Sequence, residues 1–165
     1  MFPKLVSTGA PFYGITLPFQ WVDIGKTPDF WMATQMALKG EIHGFRMPGK
    51  QIKPGIFVGS NVVIEDGANI SGPVYIGGSS VIRAGAEIIG PALIQSGCEI
   101  EGGAIVCKSI VWHHTRVDSL ANIEQKIVFG PHCIDAKGHS VDLKEAGFDW
   151  LISDNRGQQK SSFPF

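Results

Sequence analysis

Charged residues are scarce in this sequence. Of its 165 residues, 18% are Asp, Glu, Lys or Arg, and the formal net charge is −1. This composition predicts no basic face for nucleic acid or for an anionic membrane. No apolar run approaches the roughly 18 residues of a membrane-spanning helix, and the first 25 residues lack the basic-then-apolar order of a signal peptide. We therefore expect a cytoplasmic protein of one elongated domain that binds neither nucleic acid nor membrane.

Cysteine is also scarce. The three cysteines are an odd number, and no Cys-x-x-Cys pair that would suggest a metal site is present. Cys98 and Cys133 fall on positions that the repeat described below directs inward, and Cys107 lies close to one. The sequence thus predicts reduced core thiols in an intracellular protein rather than a disulfide framework.

What the sequence has in abundance is a six-residue repeat of aliphatic residues. An Ile or Val recurs at every sixth position, the step then shortens once by one residue, and the period resumes. The first series is Ile52, Val58, Ile64, Ile70, Ile76, Ile82, Ile88, Ile94 and Ile100, and the second is Ile105, Val111, Val117, Ile123 and Phe129. So regular a period indicates a repeat protein.

A second series of small or aliphatic residues follows each of these positions by four. Its members are Ile56, Val62, Ala68, Val74, Ser80, Ala86, Ala92, Cys98, Ala104, Ser109, Thr115, Ala121, Ile127 and Cys133. Spacings of four and two mean that each hexad directs two side chains inward and then turns a corner, and glycine or proline stands at many of these corners. Three flat faces per coil predict a mainly β fold, a parallel β-helix of hexapeptide repeats over residues 50–134. The coil is left-handed in known hexapeptide-repeat proteins, and we expect that hand here by resemblance.

The two ends of the chain depart from the repeat. Residues 142–157 are predicted to form a capping helix and tail, since Asp142 can cap a helix that continues to about Asn155 and stops at Gly157. Residues 158–165 are expected to fray. Residues 1–42 predict two short strands, 12–17 and 19–23, and then a helix from Thr27, as N-cap, to about Lys39. This helix is apolar nearly all round, so we expect it to be buried on several sides.

Several short stretches carry a pattern more specific than the repeat. They are FPKLV at residues 2–6, PFY at 11–13, WVDIGK at 21–26, PDFW at 28–31, MPG at 47–49, GPVYIG at 72–77 and DWLISD at 149–154. Together they resemble sugar-1-phosphate nucleotidyltransferases of the guanylyl- and uridylyltransferase types. The resemblance covers nearly the whole chain and is most specific in WVDIG. It implies that the chain is the C-terminal half of such an enzyme, with residues 1–42 a remnant of its α/β catalytic domain.

The resemblance also implies a metal ligand. In that family the Asp of W-x-D-x-G binds the catalytic Mg²⁺ together with an Asp from the nucleotide-binding domain, and the matching residue here is Asp23. The glycine-rich G-x-G-x-R nucleotide loop is not found in these 165 residues. We therefore expect no complete catalytic set and no activity in this chain alone, with the other half supplied as an N-terminal domain or as a split partner.

Two other functions remain open at this stage. Hexapeptide β-helices also form acyltransferases with a catalytic histidine, and His113 or His114 could serve as that base. Three converging histidines would instead suggest a carbonic-anhydrase-type metal centre, but His43, His132 and His139 are scattered in the sequence. A purely structural function is the remaining alternative, in which the β-helix forms a homo-oligomer through outward residues such as Val63, Val81 and Ile89.

Overall fold

The computed structural model describes residues 1–11 and 13–157. Two α-helices, α1 (Phe2–Ser7) and α2 (Thr27–Leu38), precede a long series of short strands. The strands are β1 (Lys50–Lys53), β2 (Ile56–Val58), β3 (Val63–Ile64), β4 (Asn69–Ser71), β5 (Val74–Ile76), β6 (Val81–Ile82), β7 (Glu87–Ile89), β8 (Ala92–Ile94), β9 (Glu99–Ile100), β10 (Ile105–Cys107), β11 (Ile110–Val111), β12 (Thr115–Val117), β13 (Asn122–Glu124), β14 (Lys126–Phe129), β15 (His132–Asp135), β16 (Ser140–Asp142) and β17 (Ile152–Asp154). A 3₁₀ turn at Asn155–Gly157 follows. No helix among these residues is long and apolar enough to cross a bilayer.

Three sheets wrap the strands into a β-helix of about four coils. Sheet A has the order β1-β2-β5-β8-β11-β14-β15-β16, sheet B β17-β12-β9-β6-β3, and sheet C β13-β10-β7-β4. Within the coils every third strand pairs in parallel, as between β2 and β5. The predicted parallel β-helix is confirmed, because a six-residue rung with two inward side chains returns to the same sheet after three corners.

The core is the column of inward aliphatic side chains. Five successive predicted positions are fully buried, at 0% exposure: Ile76, Ile82, Ile88, Ile94 and Ile100. Those of the first coil, such as Ile64 and Ile70, are only partly buried because no further parallel coil covers them. Each complete burial contributes about 1.5–3 kcal/mol, so the stability of the β-helix is a sum over its rungs.

The structure corrects the predicted register at Ile105. The inward residue there is Val106, which is fully buried and pairs with Ile88 and Ile123 of the neighbouring coils. Ile105 lies on the outer side of the strand, because successive side chains of a strand point to opposite faces. The step of six therefore continues from Ile100 to Val106, and the shortened step comes afterwards, between Val106 and Val111.

The predicted register also fails at the two ends of the repeat. A second five-residue step places Val128 inward instead of Phe129, which is 36% exposed. Ile127 pairs with Ile110 on the outer side of sheet A. Cys133 lies in β15, which pairs antiparallel with β14 and does not start a further coil. Ile52 lies in β1, likewise antiparallel to its neighbour, and is 43% exposed.

The predicted capping helix does not form. The Asp142 carboxylate does accept hydrogen bonds from the backbone N–H groups of Lys144 and Glu145, as an N-cap would. The turn then ends at Gly147, whose φ of +74° is not helical. After it the chain forms β17, which pairs antiparallel with β12 and buries Ile152. The end of the β-helix is thus closed by strands, β15 and β17, which satisfy edge hydrogen bonds that a helix would leave open. The predicted fraying of residues 158–165 lies outside the described residues.

Helix α2 lies across the outer side of sheet A. That side carries one row of apolar residues, one from each parallel strand: Phe57, Tyr75, Leu93, Ile110 and Ile127. Phe30 near the start of α2 contacts Trp112, with ring centroids 5.9 Å apart, while Ala37 and Leu38 at its end line a cavity with Phe57. Twelve residues of helix span about 18 Å, which matches about 19 Å for five strands.

Candidate functional site

Asp23 lies in an extended segment, residues 13–24, that has no secondary structure. The two strands predicted at 12–17 and 19–23 do not form among the described residues, and Phe12 lies outside them. The segment has the sequence of a strand but no neighbouring strand with which to pair. Its large apolar residues remain exposed, with Tyr13 at 92% and Trp21 at 75%. The short helix α1 at the start of the chain was not predicted either.

The second half of this segment runs along the outer side of α2. Val22 and Ile24 line a cavity of about 350 Å³ together with Phe30, Ala33 and Ala37 of the helix. Asp23, between the first two, is exposed. The alternation is that of an extended chain, in which every second side chain points to the same side. Sheet A, α2 and this segment therefore form three successive layers, with Asp23 in the outermost.

The start of α2 fixes one end of the segment. The backbone N–H of Lys26 donates to the Asp29 carboxylate at 3.0 Å, and Lys26 rather than the predicted Thr27 occupies the N-cap position. Thr27 is the first helical residue and Pro28 the second, so the predicted start differs by one residue. An acidic side chain in the first turn is stabilised by the positive end of the helix dipole.

The Gln20 side chain fixes the other end. Its Nε2 donates to the Glu41 carbonyl oxygen at 2.9 Å, and its Oε1 accepts from the His43 backbone N–H at 2.7 Å. Both partners follow α2 in the chain. Sequence analysis did not identify Gln20, since a single exposed glutamine carries no local pattern that indicates a contact 21 to 23 residues away.

An apolar cleft of about 580 Å³ adjoins the segment one residue after Asp23. Ile24 and Lys26 form one wall, Phe30 a second, and Trp112 and Phe129 the β-helix side. Trp112 is 38% exposed although it is large and apolar. Together with Trp21 and Phe19, whose rings lie 6.1 Å apart, the cleft gives the neighbourhood of Asp23 an exposed apolar surface.

Asp23 can supply one ligand to a metal ion and no more. A carboxylate oxygen is the donor that Mg²⁺ prefers, and Mg²⁺ usually takes one or two carboxylates and completes its shell with water and substrate phosphates. Among the described residues, no group of three or more His, Cys, Asp or Glu is placed to hold a metal. The residues present therefore fit part of a magnesium site.

His113 and His114 lie on the corner between β11 and β12. His114 has a φ of +55°, and its backbone N–H donates to the Ser96 carbonyl oxygen at 3.0 Å. Its ring covers Gly97, where an added Cβ would come within 2.6 Å of Nδ1. The Asn155 backbone N–H donates to the His114 carbonyl oxygen at 2.9 Å. His114 thus helps to join the last turn to the β-helix.

Asp154 and Arg156 lie close to this corner. Hydrogen bonds from the side chain and the backbone N–H of Arg156, and to a lesser degree the nearby His114, lower the pKa of Asp154 to about 2. His113 lies against the Trp112 ring, with centroids 5.7 Å apart, and is exposed. The assignment of either histidine as an acyltransferase base stays a prediction.

The other histidines lie apart from one another. His139 contacts Asp135 at 3.0 Å and His132 contacts Asp142 at 3.7 Å, both through Nδ1. His43 takes part in the Gln20 contact through its backbone. The cysteines are free thiols, and burial raises the pKa of Cys98 to about 11, so this thiol is no nucleophile at neutral pH.

Comparison with known proteins identifies the chain's relatives. No protein-family model matches the sequence. Over 157 residues, 94% of the chain, it is 44% identical to the UTP–glucose-1-phosphate uridylyltransferase of Synechocystis sp.. The chain is homologous to one part of a uridylyltransferase. The match spans about 40% of the length of that relative. The resemblance to sugar-1-phosphate nucleotidyltransferases is therefore confirmed for one part of such an enzyme.

Proposed function

We propose that this chain is the β-helix portion of a sugar-nucleotide pyrophosphorylase, which converts a nucleoside triphosphate and a sugar 1-phosphate into a nucleotide-sugar and diphosphate. The observation that carries the proposal is the WVDIG segment, with Asp23 exposed between two fixed ends and bordered by exposed aromatic residues. The homology to a uridylyltransferase over 94% of the chain supports the same assignment. Uracil and glucose are accordingly the first base and sugar to test.

In this proposal, residues 1–42 complete a catalytic domain, most of which lies outside these 165 residues. The exposed Phe19 and Trp21 and the cleft at Trp112 provide the apolar surface for that domain. Helix α2 buries one side on sheet A and leaves Met32, 50% exposed, on another. A contact with the remaining catalytic domain would explain why α2 has more apolar surface than the rest of this chain covers.

Asp23 would act as one ligand of Mg²⁺, with the second carboxylate supplied by the nucleotide-binding portion. Bound Mg²⁺ supplies charge neutralisation as a sugar-phosphate oxygen attacks the α-phosphorus and diphosphate leaves. The task of this chain is to hold the Asp23 carboxylate where the phosphates and the other ligand meet. A single carboxylate cannot assemble the reaction, so the chain acts only with its other portion.

Reconstitution tests the proposed function directly. We expect this chain alone to show no formation of UDP-glucose from UTP and glucose 1-phosphate. The same chain, joined to or co-expressed with a nucleotide-binding portion like that of its relative, should form UDP-glucose in the presence of Mg²⁺. Diphosphate release measures both. Turnover by the isolated chain, or no turnover with any nucleoside triphosphate and sugar 1-phosphate after joining, would contradict the proposal.

We also propose that the β-helix self-associates through sheet B. Val63 is 51% exposed in β3, and its parallel neighbour Val81 is half-buried. Ile89, which the sequence suggested with them, lies in β7 of sheet C and is not part of this face. Light scattering at tens of micromolar should give a mass above that of one 17.8 kDa chain. Val63→Lys should return the mass to that of the monomer, whereas Val141→Lys, at an equally exposed position, should not. A monomeric wild-type chain would refute the self-association alone.

A further inference from the structure

Gln20 is exposed, yet its side chain makes two hydrogen bonds to a distant part of the chain. Within residues 13–24, the only hydrogen bonds that the structure describes are the two made by the Gln20 amide. One uses the donor and the other the acceptor, so the amide is bound on both sides. The partners, Glu41 and His43, both follow the end of α2. One side chain thus ties the segment that carries Asp23 to the chain beyond the helix.

The two fixed points lie symmetrically about Asp23. Gln20 is three residues before it, and Lys26, whose backbone N–H bonds to Asp29, is three residues after it. Between them, Val22 and Ile24 rest against α2. Loss of the Gln20 contacts would leave that end of the segment without a hydrogen bond to the rest of the chain. The position of the Asp23 backbone would then depend on the Lys26 end and on the apolar contacts of Val22 and Ile24.

We propose that Gln20 is a positioning residue for Asp23, a role that rests on the proposed metal-binding function. A metal ligand must stay within about 0.5 Å of its productive position, and groups that hold ligands in place commonly change metal affinity or activity by 10- to 100-fold when they are replaced. Gln20 meets this requirement by fixing the backbone at one end of the segment. It contacts neither substrate nor metal itself.

The first test uses the chain as it is. In Gln20→Leu, which removes both hydrogen bonds, the His43 backbone amide should exchange with solvent about 5-fold faster, as expected for the loss of one hydrogen bond. Gln20→Glu keeps the acceptor for the His43 N–H and should retain most of its protection. Asn69→Leu, at an exposed amide residue in β4 of sheet C, is the matched control and should leave His43 unchanged. An unchanged exchange rate of the His43 amide in Gln20→Leu would overturn the proposed positioning role.

The second test uses the reconstituted enzyme. Gln20→Leu should raise the Mg²⁺ concentration for half-maximal activity by about 10-fold, while the KM for glucose 1-phosphate at saturating Mg²⁺ changes little. A purely structural loss would instead lower the active fraction without moving the Mg²⁺ dependence, and that result would refute positioning. If Asp23→Asn retains full activity, the metal-binding function itself fails. If Asp23→Asn is inactive and Gln20→Leu is normal, only the positioning role fails.

Discussion

Gly77→Ala is expected to destabilise the β-helix by about 3 kcal/mol or more. A Cβ at this position would fall 2.5 Å from the Ser96 backbone nitrogen and 2.6 Å from the Gln95 carbonyl carbon. These are backbone atoms of the next coil, which a spacing of about 4.8 Å between paired strands holds in place. Neighbouring coils must therefore separate or twist, and overpacking of this kind commonly costs 1–3 kcal/mol even where side chains can adjust. Urea unfolding followed by circular dichroism measures the loss.

Gly67→Ala is the matched control for this prediction. Gly67 also stands at a corner of the coil, but an added Cβ would meet nothing closer than 3.9 Å. Its φ of +95° means that alanine is strained there, at a cost of about 1–2 kcal/mol. Gly77→Ala should therefore lose clearly more stability than Gly67→Ala. Equal losses would show that backbone conformation, rather than the approach of the coils, decides which corners need glycine.

The repeat could be predicted from the sequence because one physical requirement recurs at every rung. Each rung must bury two side chains and then turn, so the pattern is the same in every coil. What the pattern does not determine is the length of each corner. The corners before β5 and β8 contain Gly72-Pro73 and Gly90-Pro91 with cis peptide bonds, whereas those before β11 and β14 have a single residue, Lys108 or Gln125, at positive φ. The shorter corners account for both five-residue steps.

The sequence contains a signal that the outer side of sheet A is covered, and our sequence analysis missed it. Its apolar row recurs at intervals of 18, 18, 17 and 17 residues, from Phe57 to Ile127, as one outward position per coil. The equivalent outward position in sheet C is mostly polar, as at Asn69 and Glu87. Comparison of outward positions, in addition to inward ones, would have indicated that one face is covered by another element. That element is α2, whose boundaries its cap and glycine signals predicted closely.

The candidate site was less predictable than the fold. Asp23 was found only through resemblance, because one aspartate after an apolar stretch is common in any sequence. The alternation of residues 20–24 predicts an extended chain, and the chain is extended, but a strand also requires a neighbour for its backbone hydrogen bonds. This chain offers α2 instead, which has no free backbone edge, and Gln20 provides the hydrogen bonds by its side chain. Contacts so distant in sequence leave no local signal.

Asp23→Asn should lower the activity of the reconstituted enzyme by at least about 1,000-fold. An amide has almost the size and shape of the carboxylate but lacks its charge, so the change removes one anionic ligand while the segment keeps its hydrogen bonds at Gln20 and Lys26. Most of the loss should appear in kcat, because the charge that Mg²⁺ neutralises is largest in the transition state. Diphosphate release at increasing Mg²⁺ concentration measures the effect.

Asp66→Asn supplies the control for this substitution. Asp66 is likewise exposed, and it lies in the first coil, away from residues 13–24. It should retain activity within a factor of about two, since surface substitutions rarely exceed ±0.5 kcal/mol. Mn²⁺ tolerates nitrogen and amide ligands better than Mg²⁺ does, so partial recovery of Asp23→Asn with Mn²⁺ is expected if the side chain binds the metal. An Asp23→Asn enzyme as active as Asp66→Asn would instead mean that the Asp23 carboxylate binds no metal, and the WVDIG stretch would then be a structural motif rather than part of the active site.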